Sequence, residues 1–164
     1  MRYFITFACY GTHLHGAESG SVDRNHNLPG TRLVDPNWQR ASAEQERMAQ
    51  PPYRLDESSR TTVLAALRQH CGHRGWSLLA AHVRTSHVHA IVDADVRPER
   101  VMNEFKAYAS RELKRLDREG PDRKRWARHG STRWLWKDSD VQQAIQYVAD
   151  EQGEPLALFV AEGL

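Results

Sequence analysis

A chain of 164 residues with 40% hydrophobic and 27% charged side chains is long enough for one domain with a sizeable core, and its composition is that of a water-soluble globular protein. No apolar run is long enough to span a bilayer, and two cysteines, Cys9 and Cys71, make neither a disulfide framework nor metal-ligand spacing. Net charge is only +2, but residues 106–137 carry +7 and residues 138–164 carry −6, so a surface suited to a polyanion adjoins a carboxylate-rich end. The first ten residues lack the apolar core and cleavage site of a secretion signal, so a cytoplasmic location is expected.

Arg2–Tyr10 reads as a strand from its aromatic and β-branched residues. Residues 11–55 are rich in Gly, Asn, Asp and Pro and read as a long loop insertion, with a short helix over Ala41–Met48; loops of this length tend to be functional. Ser58–His70 has apolar residues at helical spacing, with Gly72 and Gly75 as stop signals. Trp76–Val83 is a second strand, and Thr85–Asp93, where β-branched and apolar residues dominate, a third. The short link between them predicts an antiparallel hairpin.

Pro98 suits a first helical turn, and Val101, Met102, Phe105, Ala109, Leu113 and Leu116 give a long amphipathic helix. Gly120-Pro121 ends it. Asp122–Gly130 reads as a basic loop, Ser131–Trp136 as a strand, and Asp138 or Ser139 caps a last helix running to about Glu151. Residues 1–164 are thus expected to form one α+β domain of ferredoxin-like (RRM-like) plan. It would hold a four-stranded antiparallel sheet in βαββαβ order, with helices on one face and an extra C-terminal helix.

Chemistry points first to His87 and His89. Side chains alternate along a strand, so both imidazoles project from the same face and make half of a metal site. On the last helix, Val141, Ala144, Ile145 and Val148 share an apolar face. Tyr147 lies on its flank with Glu151 one turn further on, so a phenol and a carboxylate could face an ion together. His13-Leu14-His15 repeats the histidine spacing, but where a strand gives way to a Gly-rich loop. Tyr108 is a second conceivable nucleophile, though it falls on the apolar face of its helix.

For nucleic acid, Arg111, Lys114 and Arg115 line the polar side of the long helix, with Lys106 turned from its apolar face. Arg123, Lys124, Arg125 and Arg128 follow in the loop and Arg133 in the strand. Such residues give phosphate contacts with little sequence information. Trp126, Trp134 and Trp136 could stack on unpaired bases, with at least one of them better suited to the core.

Together, His87-Val88-His89, Phe105-Lys106-Ala107-Tyr108, Tyr10-Gly11-Thr12-His13-Leu14-His15-Gly16, Gly130–Trp136 and Tyr147 through Gln152-Gly153-Glu154-Pro155 resemble the single-tyrosine HUH transposases. Their REP-associated tyrosine transposase branch is the most similar. The resemblance runs from Arg2 to Phe159. It implies a metal-dependent enzyme that nicks and rejoins single-stranded DNA, with Tyr147 as nucleophile and a 5′-phosphotyrosine intermediate, at hairpin-containing repeats. A divalent metal, Mg²⁺ or Mn²⁺, would sit on His87, His89 and a polar side chain of the last helix. Family members place Gln or Asn four residues after the tyrosine, where this chain has Glu151. Helix geometry favours Glu151, whereas Gln152 can serve only if the helix unwinds before Gly153; the Gln-Gly-Glu-Pro run leans towards Gln152. The alternative to the enzyme is a domesticated relative that grips structured nucleic acid without cutting it. Related proteins occur as homodimers that exchange the tyrosine helix and as monomers, and no membrane partner is expected.

Overall fold

A computed structural model of the chain describes residues 1–12, 49–116, 119–120 and 122–164. The expected helix over Ala41–Met48, the His13/His15 pair and most of the 11–55 insertion lie outside the described residues. The elements run β1 (Arg2–Cys9), α1 (Glu57–Arg74), β2 (Ser77–Val83), β3 (His87–Asp93), α2 (Pro98–Leu116), β4 (Trp126–Trp134), α3 (Asp138–Asp150) and β5 (Ala157–Val160). They form an α+β fold around one antiparallel sheet in the order β4-β1-β3-β2-β5.

Local signals explain the boundaries. The Asp56 side chain accepts a hydrogen bond from Ser59 N at 2.8 Å and so caps α1, satisfying an amide the helix itself leaves unpaired. Gly75 ends that helix in the left-handed conformation, with φ 70°. Along β1 the side chains alternate: Tyr3, Ile5, Phe7 and Cys9 are buried, while Phe4, Thr6 and Ala8 on the other face are half-exposed. The first set packs against Val63, Leu67 and Cys71 of α1 and Val101, Phe105, Ala109 and Leu113 of α2.

Helices α1 and α2 lie on one face, as expected for the core of the plan; the extra C-terminal helix takes the other. Helix α3 packs on the opposite face, where Val141, Ala144, Ile145 and Val148 meet Ala80, Ile91 and Phe4. Covering both faces explains why β3 is buried almost continuously from Val88 to Val92. Two differences concern strands. Ala157–Val160 adds a fifth strand on β2, and β4 starts at Trp126 rather than Ser131. The indole of Trp126 sits edge-on to Phe7 at 5.0 Å and draws the basic segment into the sheet.

Gly130 sits at a close approach between β4, β1 and α2. A Cβ placed there would lie 2.5 Å from the Thr6 carbonyl oxygen and 2.6 Å from Met102 Sδ. Because a backbone atom cannot swing aside, Gly130→Ala is expected to cost about 1–3 kcal/mol by overpacking. In thermal unfolding that corresponds to a Tm lower by roughly 2–12 °C; an unchanged Tm would show that β4 yields freely.

Candidate active site

Strand pairing sets the site. Thr6 of β1, His89 of β3 and His82 of β2 are direct cross-strand partners, and Ser131 of β4 stands opposite Thr6. Directly opposed residues share a face, so these four line one row on the α3 side of the sheet. His87 lies two residues along from His89, with ring centroids 4.7 Å apart, and its Nδ1 is 3.2 Å from Ser86 Oγ.

Each nitrogen of the buried His89 ring has a partner. Nε2 lies 3.0 Å from Gln152 Oε1, and Nδ1 lies 2.8 Å from Thr6 Oγ1. An amide oxygen only accepts, so Nε2 carries the proton here and Nδ1 accepts from the threonine hydroxyl. Burial, and after it the neighbouring His87, push the His89 pKa down to about 3, which keeps the ring neutral.

Tyr147 comes to the same place from α3. Its ring stands 5.9 Å from His89 and 5.9 Å from Phe4, edge-on to both, and the residue is 39% exposed. The phenol and the imidazole pair therefore converge within one chain.

The end of α3 decides which polar residue faces the histidines. The helix stops at Asp150; Glu151 is its cap, with its N–H on the Tyr147 carbonyl, and is exposed. Gly153, with φ 78°, turns the chain so that Gln152 folds back over His89. Two residues that sequence reading passed over hold this return. The fully buried His82 donates from Nδ1 to the Val148 carbonyl at 3.0 Å and accepts at Nε2 from Leu156 N–H at 3.0 Å. Arg84 donates to the Glu154 carbonyl at 3.0 Å. His82 is kept neutral chiefly by burial, as these two bonds require. Thr6 was likewise missed, since nothing in the sequence pairs it with His89 before the register is known.

Among the described residues no group of three or more His, Cys, Asp or Glu side chains could hold a metal ion. A His87–His89–Gln152 set is of another kind: two imidazoles and an amide oxygen, all neutral. It suits a divalent ion on chemical grounds, because Nε2 and Oε1 already face each other and Thr6 can accept the ring proton once it moves to Nδ1.

The basic residues divide. Arg133 pairs with Phe4 and so belongs to the face that carries His89 and Tyr147. Arg111, Lys114 and Arg115 are exposed on α2, in the layer across the sheet, and Lys124 and Arg128 are exposed near β4. Three others are turned inward. Lys106 donates to the Ala127 and His129 carbonyls, and Arg123 to Pro51, Pro52, Gln50 and Glu119. Arg125 is only 3% exposed and lies near the Tyr53 ring. These contacts tie β4 and the segment around residues 50–53 together. Tyr108 stacks on His70 at 3.9 Å between α1 and α2, on the far side of the sheet from the imidazole pair.

Residues 52–149, more than half of the chain and including His87, His89 and Tyr147, match the family described as "Transposase IS200 like". The chain belongs to the IS200-like transposase family. No curated protein matches it. Among solved structures it is similar to a REP-associated tyrosine transposase bound to a REP hairpin, with 12% identity and a TM-score of 0.49 over 90% of this chain and 63% of that one. It is also similar to a protein from Deinococcus radiodurans R1 solved as a candidate transposase, with 13% identity and a TM-score of 0.46 over 92% and 90% of the two chains. The chain thus spans less than two thirds of the first of these proteins.

Proposed function

We propose that this chain cuts and rejoins single-stranded DNA through Tyr147, in a centre completed by a divalent ion. The observation that carries the reading is the meeting of Tyr147, His89 and Gln152 on one face of the sheet within a single chain. The Tyr147 oxygen attacks the scissile phosphorus and gives its phenolic proton to solvent, and the leaving 3′-oxygen takes a proton up in exchange. The bond from phosphorus to the 3′-oxygen breaks, leaving a 5′-phosphotyrosine link and a free 3′-hydroxyl. The exchange trades one phosphodiester for another, so the hydroxyl can later attack the link and reseal the strand. Mg²⁺ or Mn²⁺ held by His87, His89 and Gln152 would draw charge from the phosphate oxygens and from the leaving 3′-oxygen.

The protein supplies the rest. Phe4 and His89 flank the Tyr147 ring and orient it, and Arg133, one strand over on the same face, is placed to neutralise the phosphate. A neutral ligand set leaves the ion's charge for the substrate. The exposed Arg111, Lys114, Arg115, Lys124 and Arg128 supply salt-sensitive contacts to the flanking DNA, which we take to include a hairpin.

The test is incubation with Mn²⁺ and single-stranded oligonucleotides drawn from the hairpin-bearing flanks of the chain's own gene. A covalent protein–DNA adduct that persists under denaturing conditions and vanishes with chelator is expected. Tight binding without any adduct, indifferent to chelator, would instead mark a protein that grips DNA and does not cut it.

A further inference from the structure

The tryptophans of the described chain are used in different ways. Trp76 is buried, and Trp126 is tied down through Nε1, which donates to the Lys106 carbonyl and Ser110 Oγ. Trp134 stands edge-on to Tyr3 at 4.9 Å. Trp136 is 73% exposed, the most exposed of the large apolar side chains among the described residues. It lies flat on Trp134, with centroids 5.0 Å apart and ring planes within 12°.

The backbone between the two indoles is anchored. Leu135, between the two indoles, is buried against α3, and its N–H donates to the Arg2 carbonyl at 2.9 Å. With that side chain pinned on one side, extended-chain alternation holds both indoles on the other. Immediately after, the Lys137 N–H donates to Asp140 Oδ2 and starts α3. One face of Trp136 is therefore covered by Trp134, while the residue as a whole stays open to solvent.

We infer that this face is a stacking shelf for an unpaired nucleobase of the DNA strand, which deepens the reading given under the proposed function and rests on it. Two parallel indoles at stacking distance form a column that a base would extend by one layer, and every base offers a π-face to it. The adjoining Lys137 is exposed and supplies the positive charge a phosphate beside that base needs. Trp134 packs on Tyr3, so both indoles lie on the α1–α2 face, across the sheet from Tyr147, and β4 is an edge strand of that sheet. A single strand passing round this edge would meet both the shelf and the phenol.

The experiment measures binding of the full chain, in chelator, to a fluorescein-labelled single-stranded oligonucleotide and to its duplex. Trp136→Ala is expected to weaken single-strand binding by roughly tenfold, the scale of one lost base–aromatic stack, and to leave duplex binding unchanged. Trp136→Tyr should recover most of the loss. Loss of the exciton signal of the indole pair in near-ultraviolet circular dichroism, with an unchanged far-ultraviolet spectrum, would show that Trp136→Ala removes the shelf and not the fold.

Equal single-strand affinity for Trp136→Ala and the unaltered chain overturns the shelf, as does equal weakening of both DNA forms. A dimer that Trp136→Ala dissociates in sedimentation without changing DNA affinity overturns it too, by making the indole a contact between copies. If the unaltered chain forms its covalent adduct while any of these holds, only the shelf fails. If it neither binds nor cuts single strands, the proposed function fails with it.

Discussion

Replacing Tyr147 with phenylalanine is expected to reduce covalent adduct formation below detection while the protein still folds and binds DNA. The ring would keep its edge-on contacts with Phe4 and His89, so stability should change by no more than about 0.5 kcal/mol, as at other surface positions. Only the hydroxyl proposed to attack phosphorus is lost. Tyr108→Phe is the control. Its ring stacks on His70 in the helical layer across the sheet, so adduct yield should match that of the unaltered chain. Quantifying the shifted band on a denaturing gel for both variants separates the two tyrosines. An adduct that survives Tyr147→Phe and disappears with Tyr108→Phe would move the chemistry to the other side of the molecule.

Gln152→Ala should weaken Mn²⁺ binding by at least the 10–100-fold typical of losing even an outer-shell partner. Glu151→Ala should change it by less than about threefold, since only a long-range charge effect is removed. The reasoning is geometric. Gln152 Oε1 already sits 3.0 Å from His89 Nε2, whereas Glu151 caps α3 with its side chain exposed. The return of the chain over the histidines depends on Gly153 and on the hydrogen bonds that His82 and Arg84 make to Val148, Leu156 and Glu154. Isothermal titration of both variants decides between them. A loss confined to Glu151→Ala would mean that α3 continues for another half-turn when the ion binds.

The strand histidines and the helical tyrosine were legible because both depend on short-range periodicity. His87 and His89 share a face whatever the sheet does, and Tyr147 flanks an apolar stripe wherever its helix docks. Contacts that depend on register were not legible. Thr6 meets His89 only because β1 and β3 pair as they do, and His82 reaches Leu156 only because β5 lies along β2.

The fifth strand escaped notice because four residues of an apolar tail carry no alternation long enough to separate a strand from a packed terminus. Which of Glu151 and Gln152 faces His89 depends on where α3 ends, and the left-handed turn at Gly153 that follows could not be read from helical propensity. Charge counting did not reveal the internal contacts of Lys106, Arg123 and Arg125. A cation whose hydrogen bonds go to backbone carbonyls or a neighbouring ring is part of the scaffold, and net charge does not distinguish it from a solvated one.

The most direct measurement is the anomalous difference map of a crystal soaked in Mn²⁺. One peak at bonding distance from the imidazoles of His87 and His89 and from Gln152 Oε1, with the Tyr147 hydroxyl turned towards it, is the predicted result. A peak elsewhere, for instance among the carboxylates that open α3, or none at any soaking concentration, would contradict a metal centre built on the histidine strand.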